Sequence, residues 1–180
     1  HNIRNSVAAA AVALTVGITI NDIKDGLLRF NGVQRRFNKI FSLNGVDFYD
    51  DYAHHPTEIK MTLDGVKKVY KDYEKVCVFQ PHRISRLRDL RREFSFSFRN
   101  ADMVILCPVY SAGEKIKLGF SYFKFAKEII KNSKVRLFLI KDNIQLAKFV
   151  KKNIYGKKIV IGMGAGTISN WMRELPKLMK

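Results

Sequence analysis

From Lys75 onward, short apolar runs alternate with amphipathic stretches. The runs fall at residues 75–79, 103–107, 135–140 and 158–162. Each is continuously apolar, the pattern of strands buried on both faces. Between and after them, a 3.6-residue periodicity predicts helices at 57–70, 86–98, 121–130 and 143–153, with a last one from 167. That order predicts an α/β domain, a Rossmann-like and mainly parallel sheet covered by helices. Two further strands are predicted ahead of it, at 37–43 and 46–49, joined by Asn44-Gly45. Asn-Gly between alternating apolar residues is a strong short-range hairpin signal. The first residues follow another rhythm. An alanine-rich helix is predicted over 5–17 with Gly17 as its stop, then a second from Asn21 or Asp22 to Phe30, ended by Asn31-Gly32. A boundary is therefore expected at 31–36, with a helical remnant over 1–31 and a complete domain over 32–180.

Composition narrows the class. Of 180 residues, 47% are apolar, enough for a sizeable core and against wholesale disorder. No apolar run approaches the roughly 20 residues of a membrane helix. The ten-residue apolar stretch 7–16 reads as a buried soluble helix. His1-Asn2-Ile3-Arg4-Asn5 lacks the ordered sections of a signal peptide and lacks a methionine, so the chain reads as a cytoplasmic piece of something longer. Cys77 and Cys107 sit in strand-like runs without CxxC spacing, which predicts reduced, buried thiols. The net charge of +17 invites a nucleic-acid reading. Yet the lysines are scattered (Lys67, Lys68, Lys71, Lys115, Lys117, Lys151, Lys152, Lys157, Lys158) and no aromatic-basic platform accompanies them. Solvated faces are the expectation, attraction of small anions comes second, and a basic nucleic-acid-binding module last.

Chemistry concentrates after two strands. Asp50-Asp51-Tyr52-Ala53-His54-His55-Pro56-Thr57 sets two carboxylates and two imidazoles in six residues, closed by a proline suited to a helix start. A carboxylate here can accept from ribose hydroxyls or an ammonium group, or cap the helix. His54 and His55 could serve as acid, base or anion contacts. Adjacent histidines in an extended segment diverge, so no metal site is predicted. Gln80-Pro81-His82-Arg83-Ile84-Ser85-Arg86 is the second place. There Ser85 is expected to cap a helix, and Arg83 and Arg86, three apart on one helical face, to grip a carboxylate or phosphate. Arg88, Arg91 and Arg92 are expected to form a solvated face with Asp89 and Glu93. Arg35-Arg36 lies where the helical remnant meets the domain, suited to nucleotide phosphates or to a surface role. Gly162-Met163-Gly164-Ala165-Gly166 resembles a dinucleotide loop superficially, but Thr167 stands where a third glycine belongs. Tight strand–helix packing is the expectation. No GxxxxGK[ST] phosphate loop occurs in the 180 residues.

Taken together and in order, these segments resemble the Mur ligase family. The resemblance rests on His1-Asn2-Ile3-Arg4-Asn5, Gly32 through Arg35-Arg36-Phe37, Asp50 through Ile59, Phe79-Gln80-Pro81-His82-Arg83, Val109-Tyr110-Ser111-Ala112-Gly113-Glu114 and Met163-Gly164-Ala165-Gly166. Asn38 and Thr167 depart from residues common in the family, at positions peripheral to the chemistry. Within the family the pattern is most similar to members that join L-alanine to UDP-N-acetylmuramate in peptidoglycan precursor synthesis. The resemblance implies a C-terminal amino-acid-binding domain over 32–180 and the end of a central ATPase domain over 1–31. It implies ATP and Mg2+ as cofactors, with the metal ligands, the phosphate loop and the UDP-sugar domain elsewhere in the protein. His1, Asn2 and Asn5 would lie near the adenine, Arg36 near the phosphates and Asp51 near the ribose. His54, His82, Arg83 and Arg86 would line the site for alanine and the muramyl carboxylate, with Arg36 and His54 as the catalytic pair. The chemistry implied is phosphorylation of the substrate carboxylate by ATP, then attack of the amine on the acyl phosphate. The fragment alone is expected to be inactive. The recycling ligase that adds a tripeptide to the same sugar shares the Asp-Asp-x-Ala-His-His-Pro segment and is the alternative.

Overall fold

The computed structural model describes residues 2–114 and 121–180; His1, the side chain of Asn2, and Lys115 and Lys117 lie outside the described residues. The chain forms two compact units, His1–Gln34 and Arg35–Lys180.

The first unit is a helix pair, α1 (Asn2–Thr15) and α2 (Ile20–Arg29). Helix α1 starts three residues before the expected position, so Asn5 is a helical residue rather than a lead-in. Gly17 ends it with φ +84, while the N–H of Ile18 reaches back to the carbonyl of Ala13. A left-handed glycine is the usual way to satisfy the last carbonyls of a helix. Thr19 caps α2 by accepting from the N–H of Asp22. No residue of α2 is buried, although Leu27 and Leu28 belong to it.

The second unit is a six-stranded sheet in the order β1-β2-β6-β3-β4-β5. Strands β1 (Asn38–Leu43) and β2 (Val46–Asp51) form the expected antiparallel hairpin. Asn44 and Gly45 both have positive φ, 51° and 77°, as a two-residue hairpin turn requires. Strands β3 (Glu74–Phe79), β4 (Met103–Leu106), β5 (Arg136–Leu139) and β6 (Lys158–Met163) are parallel to one another and to β2. Their burial follows from position. The inner β3, β4 and β6 are apolar on both faces, whereas edge strand β5 is mostly exposed.

Helices cover both faces. Helix α3 (Pro56–Val69), the pair α4 (Ile84–Asp89) and α5 (Arg91–Phe96), and α6 (Tyr122–Ser133) bury Ile59, Leu63, Leu87, Phe94, Phe125 and Ile129 against one face. Helices α7 (Asn143–Asn153) and α8 (Ile168–Leu178) bury Leu146, Val150, Ile168, Met172 and Leu175 against the other. Fully burying one such side chain stabilises the fold by about 1.5–3 kcal/mol. The thiols of Cys77 and Cys107 are free and buried, and burial raises the Cys107 pKa to about 12. Among the described residues no helix is long and apolar enough to cross a membrane.

The helix expected over 86–98 is two helices. Leu90 leaves helical geometry at φ −107°, ψ 24°, and Leu87 and Phe94 on either side of it are both in the core. Arg91, expected in a solvated face, instead makes a two-pronged bond to Glu128 of α6 at 2.6 and 2.7 Å. Periodicity cannot report such a partner, 37 residues away.

Candidate functional site

Parallel pairing sets Asp51, Met163, Phe79 and Leu106 abreast at the carboxyl ends of β2, β6, β3 and β4. The loops leaving these four residues share one rim, the position where open α/β sheets handle ligands.

The two adjacent aspartates serve opposite faces of the sheet, because successive strand side chains alternate. Asp50 is fully buried towards α8, where its Oδ2 accepts from the Ser169 hydroxyl and lies 3.4 Å from Arg173 Nη2 and 3.9 Å from Arg35 Nε. Its Oδ1, like Arg35 Nε, has no hydrogen-bond partner among the described residues. Asp51 turns to the other face, where Oδ2 accepts from the N–H of Phe37 at 2.9 Å and Oδ1 from that of Ala53 at 2.8 Å.

The residues before β1 are pinned to this rim. Arg35 donates from Nη2 to the Gly164 carbonyl at 2.6 Å, accepts at its own carbonyl from the N–H of Tyr52, and stacks its guanidinium 4.7 Å from the Tyr52 ring centre. Arg35 and Phe37 both have positive φ, 59° and 53°. That conformation costs a non-glycine residue about 1–2 kcal/mol, and the bonds just named offset it. Arg36 is left exposed, its guanidinium 5.9 Å from the Tyr52 ring.

The histidines take defined roles. His55 is the N-cap of α3, its side chain accepting from Thr57 N–H, and Glu58 accepts from the N–H groups of His54 and His55. This is a capping box, with Pro56 at the first helical position. His54 faces the rim. Its Nδ1 is 2.9 Å from the Tyr52 carbonyl and 3.5 Å from Glu58 Oε2, both acceptors, so Nδ1 carries the proton. In the neutral ring Nε2 is then an acceptor. Burial raises the Glu58 pKa, but the His54 and His55 N–H groups and the nearby imidazole outweigh it and hold the carboxyl below its ordinary value.

The His54 and His82 rings lie 5.9 Å apart, centre to centre, and His82 stacks on Tyr110 at 5.5 Å and 19°. Arg86 Nη1 is 3.3 Å from His82 Nδ1. A guanidinium can only donate, so His82 Nδ1 accepts and its proton sits on Nε2. Burial, then the charge of Arg86, holds the His82 imidazole below its ordinary pKa, with His54 and Arg83 adding to it. The two imidazoles thus offer opposite functions at Nε2, one accepting and one donating.

Two local expectations are corrected. Arg83 is not on a helical face with Arg86; it precedes α4 as its N-cap at φ +70°, exposed, with its N–H bonded to the Tyr110 carbonyl at 2.8 Å. Ser85 does not cap α4, because its hydroxyl and N–H both donate to Glu114. The glycine run serves packing as expected. A Cβ at Gly164, at φ +151°, would lie 2.6 Å from the Gln80 carbonyl oxygen, and one at Gly166 2.5 Å from Gln80 Oε1. Gln80 is buried and bridges the loops, donating to Thr167 Oγ1 and accepting from the N–H of Ile168, both at 3.0 Å.

His54, His82, Arg86 and Asp51 therefore belong to one rim of the second unit, with Arg36 and Arg83 exposed beside it. Asn5 is exposed on α1 of the first unit. Sequence reasoning assigned no role to Tyr52, Gln80, Tyr110 or Glu114, and offered Arg35 to nucleotide phosphates or the surface, whereas it bonds Gly164 and stacks on Tyr52. Only their presence in the segments that carry the family resemblance signalled them, since their partners are distant in the chain. Among the described residues no group of three or more His, Cys, Asp or Glu converges on a metal position.

Burial raises the Asp51 carboxyl above its ordinary 3.8, against the opposing pull of the Ala53 and Phe37 N–H groups and of Arg36, while Glu58 adds to the rise. A raised value in the folded state means that this group's contribution to stability is present below 3.8 and is lost as pH rises through the folded value. Asp51→Asn is expected to remove that portion of the slope when urea unfolding is measured against pH. A wild-type-to-variant difference constant with pH would refute the assignment.

A family model described as the glutamate ligase domain of Mur ligases matches residues 35–166. The UDP-N-acetylmuramate–L-alanine ligase of Pelagibacter ubique (strain HTCC1062) is 68% identical over 99% of this chain, which spans 39% of that protein's length. Among solved structures, the UDP-N-acetylmuramate–alanine ligase of Thermotoga maritima superposes with a TM-score of 0.77 at 26% identity, covering 98% of this chain and 37% of that one. The murein peptide ligase of Psychrobacter arcticus 273-4 shares the fold with a TM-score of 0.76 at 22% identity, covering 99% of this chain and 37% of that one. The chain thus spans about two-fifths of the length of the curated relatives it matches. The family model covers all six strands of the sheet, from Arg35 to the glycine loop that closes the rim, and the chain belongs to the Mur ligase family.

Proposed function

We propose that this chain is the C-terminal part of an ATP-dependent ligase that joins L-alanine to UDP-N-acetylmuramate in peptidoglycan precursor synthesis. The observation carrying the proposal is its 68% identity, over nearly its whole length, to a UDP-N-acetylmuramate–L-alanine ligase. In this reading residues 32–180 are the amino-acid-binding domain and 1–31 end the central ATP-binding domain, in a cytoplasmic enzyme. The exposed apolar residues of α2 support the second assignment, since Leu28 is 75% exposed and wants further chain against it.

Residue roles follow the chemistry. Arg36, exposed beside the rim, would meet the ATP phosphates. Asp51 would meet the ribose with the lone pairs left after its two backbone bonds. His1, Asn2 and Asn5 would contact the adenine. Mg2+, with ligands from the rest of the protein, would supply charge neutralisation at the phosphates. Arg83 and Arg86 would hold substrate carboxylates, and His82 Nε2–H would donate to a carboxylate or acyl oxygen. The L-alanine amine must shed a proton as it attacks, and the His54 Nε2 lone pair would accept it.

The second reading is the tripeptide-adding recycling ligase, kept because the murein peptide ligase shares the fold nearly as closely. The full-length protein discriminates. With ATP, UDP-N-acetylmuramate and equal L-alanine and tripeptide, L-alanine product is expected to dominate, and preference for tripeptide would overturn the proposal. The 180-residue chain is expected neither to hydrolyse ATP nor to ligate alanine. Robust turnover by it would refute the fragment reading.

A further inference from the structure

His82 and Arg83 lead into helix α4 and Arg86 lies on it, yet the helix start is poorly anchored by its own sequence. Its N-cap, Arg83, makes no side-chain capping bond and is held at φ +70°. A helix start without a cap leaves backbone N–H groups unsatisfied and frays. The missing acceptor comes from the loop after β4. Glu114 Oε2 accepts from the Ser85 N–H at 2.9 Å, and Oε1 accepts from the Ser85 hydroxyl at 2.6 Å.

The rest of that loop continues the attachment. The Tyr110 N–H donates to the Pro81 carbonyl, and the Arg83 N–H to the Tyr110 carbonyl, both at 2.8 Å, while the Tyr110 ring lies on His82. Two consecutive left-handed residues, Ala112 at φ 52° and Gly113 at φ 85°, then turn the chain so that Glu114 meets α4. The bonds from Tyr110 and Glu114 thus reach the segment from Pro81 to Ser85. The Ser85 hydroxyl and N–H bonds hold the Glu114 carboxyl below its ordinary pKa, and the charge of Arg83 adds to this.

We propose that Glu114 is a positioning residue for substrate binding: it caps α4 from another loop and thereby fixes His82, Arg83 and Arg86 in the geometry that receives the amino-acid substrate. The inference rests on the ligase reading above. Glu114 itself bonds Ser85 rather than substrate.

The test uses the full-length protein with ATP, UDP-N-acetylmuramate and L-alanine. Glu114→Ala is expected to raise the KM for L-alanine about tenfold, the scale of a lost helix cap expressed in binding, with the KM for ATP within about twofold of wild type. Glu114→Gln keeps an acceptor oxygen and is expected to recover most of the loss. Adding Ser85→Ala to Glu114→Ala is expected to cost nothing more, because both act through one contact. If Glu114→Ala does not fold, Ser85→Ala alone carries the test, with a smaller rise confined to L-alanine. An unchanged KM for L-alanine in a folded variant, or an equal rise for every substrate together with a lowered Tm, overturns the proposal. Failure of the ligase reading is seen separately: the wild-type protein then makes no L-alanine product before any variant is assayed.

Discussion

Asp50→Ala is expected to lower the unfolding free energy by about 3–5 kcal/mol, measured as a fall in the denaturant midpoint at neutral pH. The magnitude comes from what is left behind. Asp50 is completely buried, and its removal strands the part-buried guanidinium of Arg35 and the hydroxyl of Ser169 beneath α8. An uncompensated buried charge costs more than the pair was worth. Arg173 adds little, since half of its side chain is in solvent. A double replacement, Asp50→Leu with Arg35→Met, is expected to cost clearly less than the sum of the two single changes. Strict additivity would show that the two residues are not coupled.

Arg86→Ala in the full-length protein is expected to lower kcat/KM for the amino-acid substrate about 100-fold, equivalent to about 2.7 kcal/mol of transition-state stabilisation. Two effects combine. The rim loses a guanidinium suited to a carboxylate, and His82 loses the donor at Nδ1 that sets its tautomer. Arg86→Lys is expected to restore only part of the rate, because an ammonium lacks the planar fork. The pH profile carries a second signature. Burial and then Arg86 hold His82 below its ordinary pKa, so removing Arg86 lets it rise. The His82 ring resonances followed by NMR are expected to titrate at higher pH in Arg86→Ala than in the wild type. A variant with wild-type kcat/KM and an unmoved His82 titration would exclude Arg86 from the site.

Much of the architecture was legible because it is written in local terms. The inner strands β3, β4 and β6 are continuously apolar, and the Asn44-Gly45 hairpin needs only two adjacent residues with positive φ. The break at Leu90 was not legible, since Leu87, Arg91 and Phe94 keep helical spacing across it, nor was the bond from Arg91 to Glu128, 37 residues away. Ser85 at the head of an expected helix was read as its cap, and only a carboxylate 29 positions later shows otherwise.

The Asp50 to Thr57 run shows the same division within eight residues. Sequence alone determined that a hairpin strand ends here, that Pro56 begins a helix, and that charged and imidazole groups crowd the junction, because propensity, turn chemistry and capping act over a few neighbouring residues. It also carried the family resemblance, which the matched model spans from Arg35 to Gly166. Only the tertiary structure decided that Asp50 serves the buried network under α8, that Asp51 ties down Phe37 and Ala53, that His55 is spent on capping, and that His54 meets His82. The reason is physical. Hydrogen bonds and charge pairs depend on distances of a few ångströms, and parallel pairing of β2, β6, β3 and β4 sets those distances between loops far apart in the chain.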